Sequence, residues 1–225
     1  MLRFPCLVLD HDDTVVASEA SVNYPCFLQS LAHFRPGSRM NHATFARWCF
    51  DPGFIALLQQ IYHFTDDELD QEFQMWKDYA AVHIPPAYPG LREIIRTQQA
   101  LGGRVCVVSH SSRSSILRDY RVHFGTEPDL IFSWEDPEPQ RKPHAYPLRK
   151  IMETYGFAPQ QLLMVDDLKP GCDMARKVRV PVAYAGWGHK EVPEISAQME
   201  QWCDYSFSSS EKFYEFLFGK PVSSP

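Results

Sequence analysis

Short runs made only of apolar residues alternate along the chain with segments in which apolar residues return every three or four positions. Cys6-Leu7-Val8-Leu9, Val105-Cys106-Val107-Val108, Leu162-Leu163-Met164-Val165 and Val180-Pro181-Val182-Ala183-Tyr184 offer no polar face to water. That is the pattern of strands covered on both sides of a parallel sheet. Leu130 to Trp134 and the residues around Tyr205 are two weaker strand candidates. Between the runs lie helical stripes: Leu91, Ile94, Ile95 and Leu101; Ile116, Leu117 and Tyr120; Leu148, Ile151, Met152 and Tyr155. Pro143, Pro159 and Pro170 fall where first helical turns tolerate proline. Strands alternating with helices imply right-handed crossovers and an α/β fold of three layers, helices on both faces of the sheet.

The rhythm breaks between residues 17 and 83. No apolar strand run occurs there, and three stripes (Phe27, Leu28, Leu31, Phe34; Phe54, Leu58, Ile61; Leu69, Phe73, Trp76, Ala80) predict an inserted all-helical unit. Thr65 and Glu68 have capping-box spacing at the start of the last helix. Trp48 and Trp76 are expected in the core of this helix bundle. Residues 1–16 and 84–225 then form the core and 17–83 the insertion, with Pro85-Pro86 marking the return and a frayed tail from Lys220 to Pro225.

Composition narrows the chemistry. The 225 residues are 44% hydrophobic and carry a net charge of −6, so a sizeable core is available and a basic nucleic-acid surface is not. The first apolar run is too short for a membrane span, and Asp10 interrupts it where a signal peptide would continue. Six scattered cysteines lack zinc-site or disulfide-scaffold spacing. The expectation is a cytoplasmic protein with reduced thiols, no membrane and no nucleic-acid partner, its oligomeric state open and a monomer admissible.

Polar groups stand at the ends of three strand runs: Asp10, Ser109, and Asp166 with Asp167. Each alone is explained as a helix cap. Together they are expected to converge, because the carboxyl ends of parallel strands open onto one crevice. Asp10 and Asp12, two residues apart at a strand end, point to the same side, one able to attack and the other to handle protons.

The segment Leu7-Val8-Leu9-Asp10-His11-Asp12-Asp13-Thr14 resembles the first motif of the haloacid dehalogenase superfamily, an apolar strand followed by Asp-x-Asp-x-Thr. Ser109, Lys142 in Arg141-Lys142-Pro143, and Asp166-Asp167 match the next three motifs in order, and the helical insertion matches the family's cap. The resemblance is chain-wide. It implies a Rossmann-like core and a Mg²⁺-dependent phosphatase acting on a small phosphorylated metabolite, broadly like phosphoglycolate phosphatases. Asp10 is then the nucleophile and Asp12 the acid and base. Ser109, His110 and Lys142 would bind phosphate, and Asp10, the Asp12 carbonyl and Asp167 would hold the metal, with Asp166 beside them. Asp173 is either a helper one turn on or a helix-dipole carboxylate.

Two departures stand out: Asp13 where the family usually has Gly, and His110 where it usually has Asn or Gly. The extra carboxylate is expected to raise the pKa of Asp12 or repel an anionic leaving group. His11 falls in a variable slot. In the insertion, His33, Arg35, Arg39, His42 and Arg47 form a basic group whose ordinary reading is a solvated face. The sharper reading gives Arg39 and Arg47 to an anionic leaving group and Trp187 to the crevice wall. The rivals are a phosphomutase resembling β-phosphoglucomutase, a metal-free dehalogenase, against which Asp12 and Asp167 argue, and a non-catalytic regulatory module.

Overall fold

The structure, a computed structural model, describes residues 2–189 and 192–219, so the expected frayed tail lies outside the described residues. Six strands form one sheet: β1 (Cys6–Leu9), β2 (Arg104–Val108), β3 (Leu130–Phe132), β4 (Leu162–Asp166), β5 (Val182–Ala185) and β6 (Tyr205–Phe207). Their order is β3-β2-β1-β4-β5-β6 and every pair is parallel. The four clear runs and both weaker candidates are strands. The fourth run begins two residues later than its first apolar position, since Val180 and Pro181 precede the ladder.

Side chains alternate across the pleat, which sorts the strands' residues into two cores. Leu7, Leu9, Val105, Val107, Leu163 and Val165 pack with residues of α5 (Leu91–Ala100), α6 (Arg113–Phe124) and α10 (Ser210–Phe218). Cys6, Val8, Cys106, Val108, Leu162 and Met164 pack with α7 (Tyr146–Tyr155), α8 (Lys169–Arg176) and α9 (Pro193–Trp202). Proline enters the first turn of α7 at Pro147 and of α8 at Pro170. Pro143 instead follows a cis peptide ahead of α7, and Pro159 opens a short 3₁₀ turn, because the strand β4 begins three residues later. Leu101 lies past the end of α5 and is exposed.

The inserted segment folds as α1 (Tyr24–Phe34), α2 (His42–Phe50), the short α3 (Phe54–Ala56) running into a wide turn at Leu57–Ile61, and α4 (Asp66–Val82). It has its own apolar cluster, with Phe27, Leu31, Phe45, Leu57, Leu58 and Tyr62 buried and Trp48 against them. The expected capping box forms at Thr65 and Glu68. Arg35 ties the cluster's rim, donating to both oxygens of Glu68 at 2.8 and 2.7 Å and to the carbonyls of Tyr62 and His63.

One stripe faces differently from expectation. Phe73 and Trp76 of α4 turn toward the sheet domain: Phe73 lies 6.1 Å from Trp134, and Trp76 donates to Asn23 at the seam. On the other side, Phe50 of α2 stacks on Trp202 at 5.9 Å, and Arg47 pairs with Glu194 at 3.0 Å. The insertion thus grips the core from two directions. Phe27, fully buried and ringed by Phe45, Phe54 and Tyr62, is expected to cost ~3–5 kcal/mol of stability on truncation to Ala, from lost burial and the cavity left behind. Urea unfolding of Phe27→Ala checks this; a loss under about 1 kcal/mol would show that the ring cluster is not what holds the insertion together.

Candidate active site

Asp10 follows the last residue of β1, and its amide donates to the Val165 carbonyl at 2.8 Å, which carries the β1–β4 ladder one step beyond the strand. Asp166 ends β4 and Asp167 follows it. Adjacent strand ends therefore place three buried carboxylates together: one oxygen from each of Asp10, Asp166 and Asp167 lies within 4.8 Å of the others. Gly171 in α8 makes room for this arrangement. A Cβ there would stand 2.1 Å from Asp166 Oδ2.

Lys142 enters from the loop between β3 and α7. Its buried ammonium donates to Asp10 Oδ1 at 2.7 Å and to Asp166 Oδ2 at 2.9 Å. Asp167 is held separately, by the Thr14 hydroxyl at 3.0 Å and by His189 Nε2 at 2.6 Å. Thr14 sits in the tight turn after β1, where Val15 and Val16 amides both donate to the His11 carbonyl. Asp13 in that turn has φ of +53°, the left-handed region that explains why glycine is usual there. Gly188 packs against its carbonyl so closely that a Cβ would stand 2.3 Å from the oxygen.

The Asp13 carboxylate turns away, accepting from the Tyr88 hydroxyl at 3.1 Å and the Glu19 amide at 2.9 Å. Burial and the nearby Asp167 and Glu19 raise its own pKa well above the usual range.

Too little positive charge is present for the carboxylates gathered here. Burial pushes Asp10 well up, and Asp166, Asp167 and Asp12 add to the rise against the pull of Lys142. Burial likewise takes Asp166 to about 6 in spite of Lys142. Asp167 goes the other way: burial would raise it, but His189, Lys142 and Thr14 hold it below the ordinary value. His189 moves in step, lifted to about 9 by Asp167 although burial opposes its charge. A pocket of this kind suits a small divalent cation with hard oxygen ligands.

Ser109 follows the last residue of β2 and is buried, its amide on the Phe132 carbonyl and its hydroxyl accepting from the Ser111 amide at 3.1 Å. The first amides of α6 are also partly taken, with Arg113 N on Glu135. His110 points its Nε2 onto the Lys142 carbonyl at 2.8 Å. That contact ties the His110 ring, on an otherwise exposed residue, to the backbone of the lysine's loop. Asp12 borders a narrow, half-open cavity of about 10 Å³ at the seam with the insertion, shared with Asn23, Trp76, Ala80, Ser111 and Arg118. That volume admits about one water.

Asp10, Lys142, Asp166 and Asp167 are thus brought together, with Asp12, Ser109 and His110 around them. Four other sequence candidates lie elsewhere. Asp173 forms a half-exposed pair with Lys169 at 2.6 Å, one turn along α8. Arg39 is exposed and borders a shallow depression with Tyr24, Met40 and Asn41, while Arg47 is spent on Glu194. Trp187 is buried in the sheet core against Phe213, its indole N–H on the Thr14 carbonyl at 2.9 Å, so it braces the first loop from behind. His189 and Thr14 were not singled out from sequence. The signal was faint: Thr14 is the Thr of the first motif, and His189 follows Gly186-Trp187-Gly188 past a strand end.

Residues 7–185 match the haloacid dehalogenase-like hydrolase family. The chain belongs to that family. A curated relative, a phosphoglycolate phosphatase of Chromobacterium violaceum, is 25% identical over 145 residues, 64% of this chain and 62% of the relative. The match therefore spans under two thirds of that relative's length. A crystal structure of a predicted phosphoglycolate phosphatase from Haemophilus somnus 129pt superposes with a TM-score of 0.76 at 17% identity, covering 96% of this chain and 99% of the other. A second, of a putative phosphoglycolate phosphatase from Lactobacillus plantarum, gives 0.75 at 20% identity over 95% and 99%. These structures share the fold. No helix among the described residues is long and apolar enough to cross a membrane.

The His189–Asp167 pair makes stability depend on pH with a definite sign. A histidine lifted from 6.5 to about 9 on folding contributes stability that is complete below pH about 6.5 and is lost as pH rises through about 9. In metal-free protein, the stability advantage of the parent over His189→Gln should shrink across that window in urea titrations. Parallel curves would show that the pair does not titrate with folding.

Proposed function

We propose that the chain is a Mg²⁺-dependent phosphatase that hydrolyses a small phosphate monoester through an aspartyl phosphate on Asp10. The observation that carries this reading is the buried Lys142 ammonium bridging Asp10 and Asp166 beside Asp167, a nucleophile, a fixed cation and a carboxylate set for a metal in one pocket. The match to the family and to a phosphoglycolate phosphatase supports it.

An Asp10 oxygen attacks phosphorus while the bond from phosphorus to the leaving oxygen breaks, and Asp12 gives that oxygen its proton. Water then attacks phosphorus, Asp12 takes a proton from it, and the bond from phosphorus to Asp10 breaks to free inorganic phosphate. Lys142 holds Asp10 in line and offsets charge on the phosphoryl oxygens, and the Ser109 hydroxyl binds one of them. Asp10, the Asp12 carbonyl and Asp167, with Asp166 alongside, would hold Mg²⁺; the metal when bound supplies charge for the phosphoryl group and favours the ionised form of Asp10. Residues 17–83 act as a cap over the leaving group. The protein works in the cytoplasm in this reading.

Asp10→Asn should abolish phosphate release from p-nitrophenyl phosphate without unfolding the chain, because the amide keeps the shape and cannot form the acyl phosphate. Asp12→Asn should slow both halves of the reaction by ~10²–10⁴-fold. Substantial turnover by clean Asp10→Asn protein would remove Asp10 from the mechanism.

Chelation should eliminate turnover and Mg²⁺ restore it, whereas Ca²⁺ should inhibit because it tolerates a looser shell. Calorimetric titration of Mg²⁺ should show binding lost in Asp167→Ala and nearly unchanged in Asp173→Ala, whose partner is Lys169. Equal losses would overturn this ranking of the acids, and full activity in chelator would favour metal-free chemistry.

A further inference from the structure

His11 stands between the nucleophile and the acid of the first motif, yet its side chain points away from both. The imidazole is almost wholly buried, its Nε2 lies 3.0 Å from Asp119 Oδ2, and Asp119 is equally buried inside α6. The other oxygen of Asp119 accepts from Arg118 Nε at 2.7 Å. Arg118 then reaches out of the sheet domain, and its Nη1 donates to the carbonyl of Ala80 near the end of α4. A continuous line of hydrogen bonds thus runs from the catalytic turn, through one helix of the core, to the inserted segment.

An apolar residue in place of His11 would fill the same space with no polar group to bury, and burying polar groups costs free energy that well-packed apolar groups do not. The line also ends at a defined place. Arg118 and Asp119 border the cavity that contains Asp12 and Ala80, the space between cap and core beside the acid. Burial would raise the pKa of Asp119, but His11 and Arg118 hold it below the ordinary carboxylate value. Were the insertion to move off the core, Arg118 would give up the Ala80 carbonyl and with it part of its hold on Asp119.

We infer that Asp119 is a positioning residue that fixes the Asp10-His11-Asp12 turn through His11, and that Arg118 makes this positioning depend on contact with the cap. The inference rests on the phosphatase reading only for its kinetic consequence. Neither residue touches substrate or metal in this account. They set where the nucleophile and the acid stand, and they do so most firmly when the cap is down.

The test uses the full chain with Mg²⁺ and p-nitrophenyl phosphate, and compares Arg118→Ala, Asp119→Asn, their double variant, and Arg47→Ala as a control that breaks a different cap–core pair. Each single change in the network should lower kcat by roughly tenfold with KM altered far less, because placement of the reacting groups is lost rather than binding. The double variant should be little slower than either single one, since all act through one line. Arg118→Lys should recover part of the rate. Hydrogen exchange gives a readout that does not need turnover: Arg118→Ala should speed exchange of amides in residues 11–16 as well as in α4, and Arg47→Ala should leave residues 11–16 protected. A lower Tm with unchanged kcat would mean a purely structural pair, and multiplied losses in the double variant would mean two independent roles; either overturns the inference. If the parent has no phosphatase activity, the phosphatase reading falls while exchange still decides: unchanged protection of residues 11–16 overturns the coupling, and selective loss there supports it.

Discussion

The buried ammonium of Lys142, 2.7 Å from Asp10 and 2.9 Å from Asp166, is the contact on which the site depends. Parallel strand ends bring Asp10, Asp166 and Asp167 into one buried pocket, and the same burial that makes a carboxylate useful to phosphoryl chemistry makes several of them repel. Lys142 offsets two of the acids and His189 a third. The remaining imbalance appears as the raised pKa of Asp10 and the value near 6 for Asp166. A divalent cation is the natural completion of such a pocket, so charge balance joins the fold to the proposed chemistry.

Much of the surrounding structure serves this pocket. Gly171 and Gly188 remove Cβ atoms at the two points where backbone meets Asp166 and the Asp13 carbonyl. Trp187 braces Thr14, Thr14 fixes Asp167, and His110 fixes the backbone of Lys142. None of these partners is close in sequence to the group that it holds. The inserted helices are packed on their own aromatic cluster and grip the core through Phe73 on one side and Phe50 on the other.

Four strands were readable as short apolar runs, because strands covered on both faces leave that mark whatever packs on them, while the shorter, partly covered β3 and β6 left a weaker one. The acids at their ends were readable for the same reason: in a parallel sheet a strand's carboxyl end is a fixed place. What could not be read were pairings across the chain. His11 with Asp119 and Asp167 with His189 are separated by 108 and 22 residues and leave no periodic trace. Trp76 has the spacing of a bundle stripe, and spacing alone does not say whether that stripe faces its own bundle or a neighbouring domain. Arg39 and Arg47 looked alike in the sequence, whereas the fold puts one on a shallow surface and spends the other on Glu194.

The central claim is that Asp10 carries a phosphoryl group and that water later attacks phosphorus rather than the Asp10 carbonyl carbon. A single turnover of p-nitrophenyl phosphate by excess Mg²⁺-loaded protein in heavy-oxygen water, followed by mass spectrometry of the released phosphate and of the peptide containing Asp10, tests it directly. The account predicts the heavy oxygen in inorganic phosphate and none in the Asp10 carboxyl. Heavy oxygen in the Asp10 carboxyl would mean hydrolysis of an Asp10 ester at carbon, the dehalogenase route, and would contradict the account.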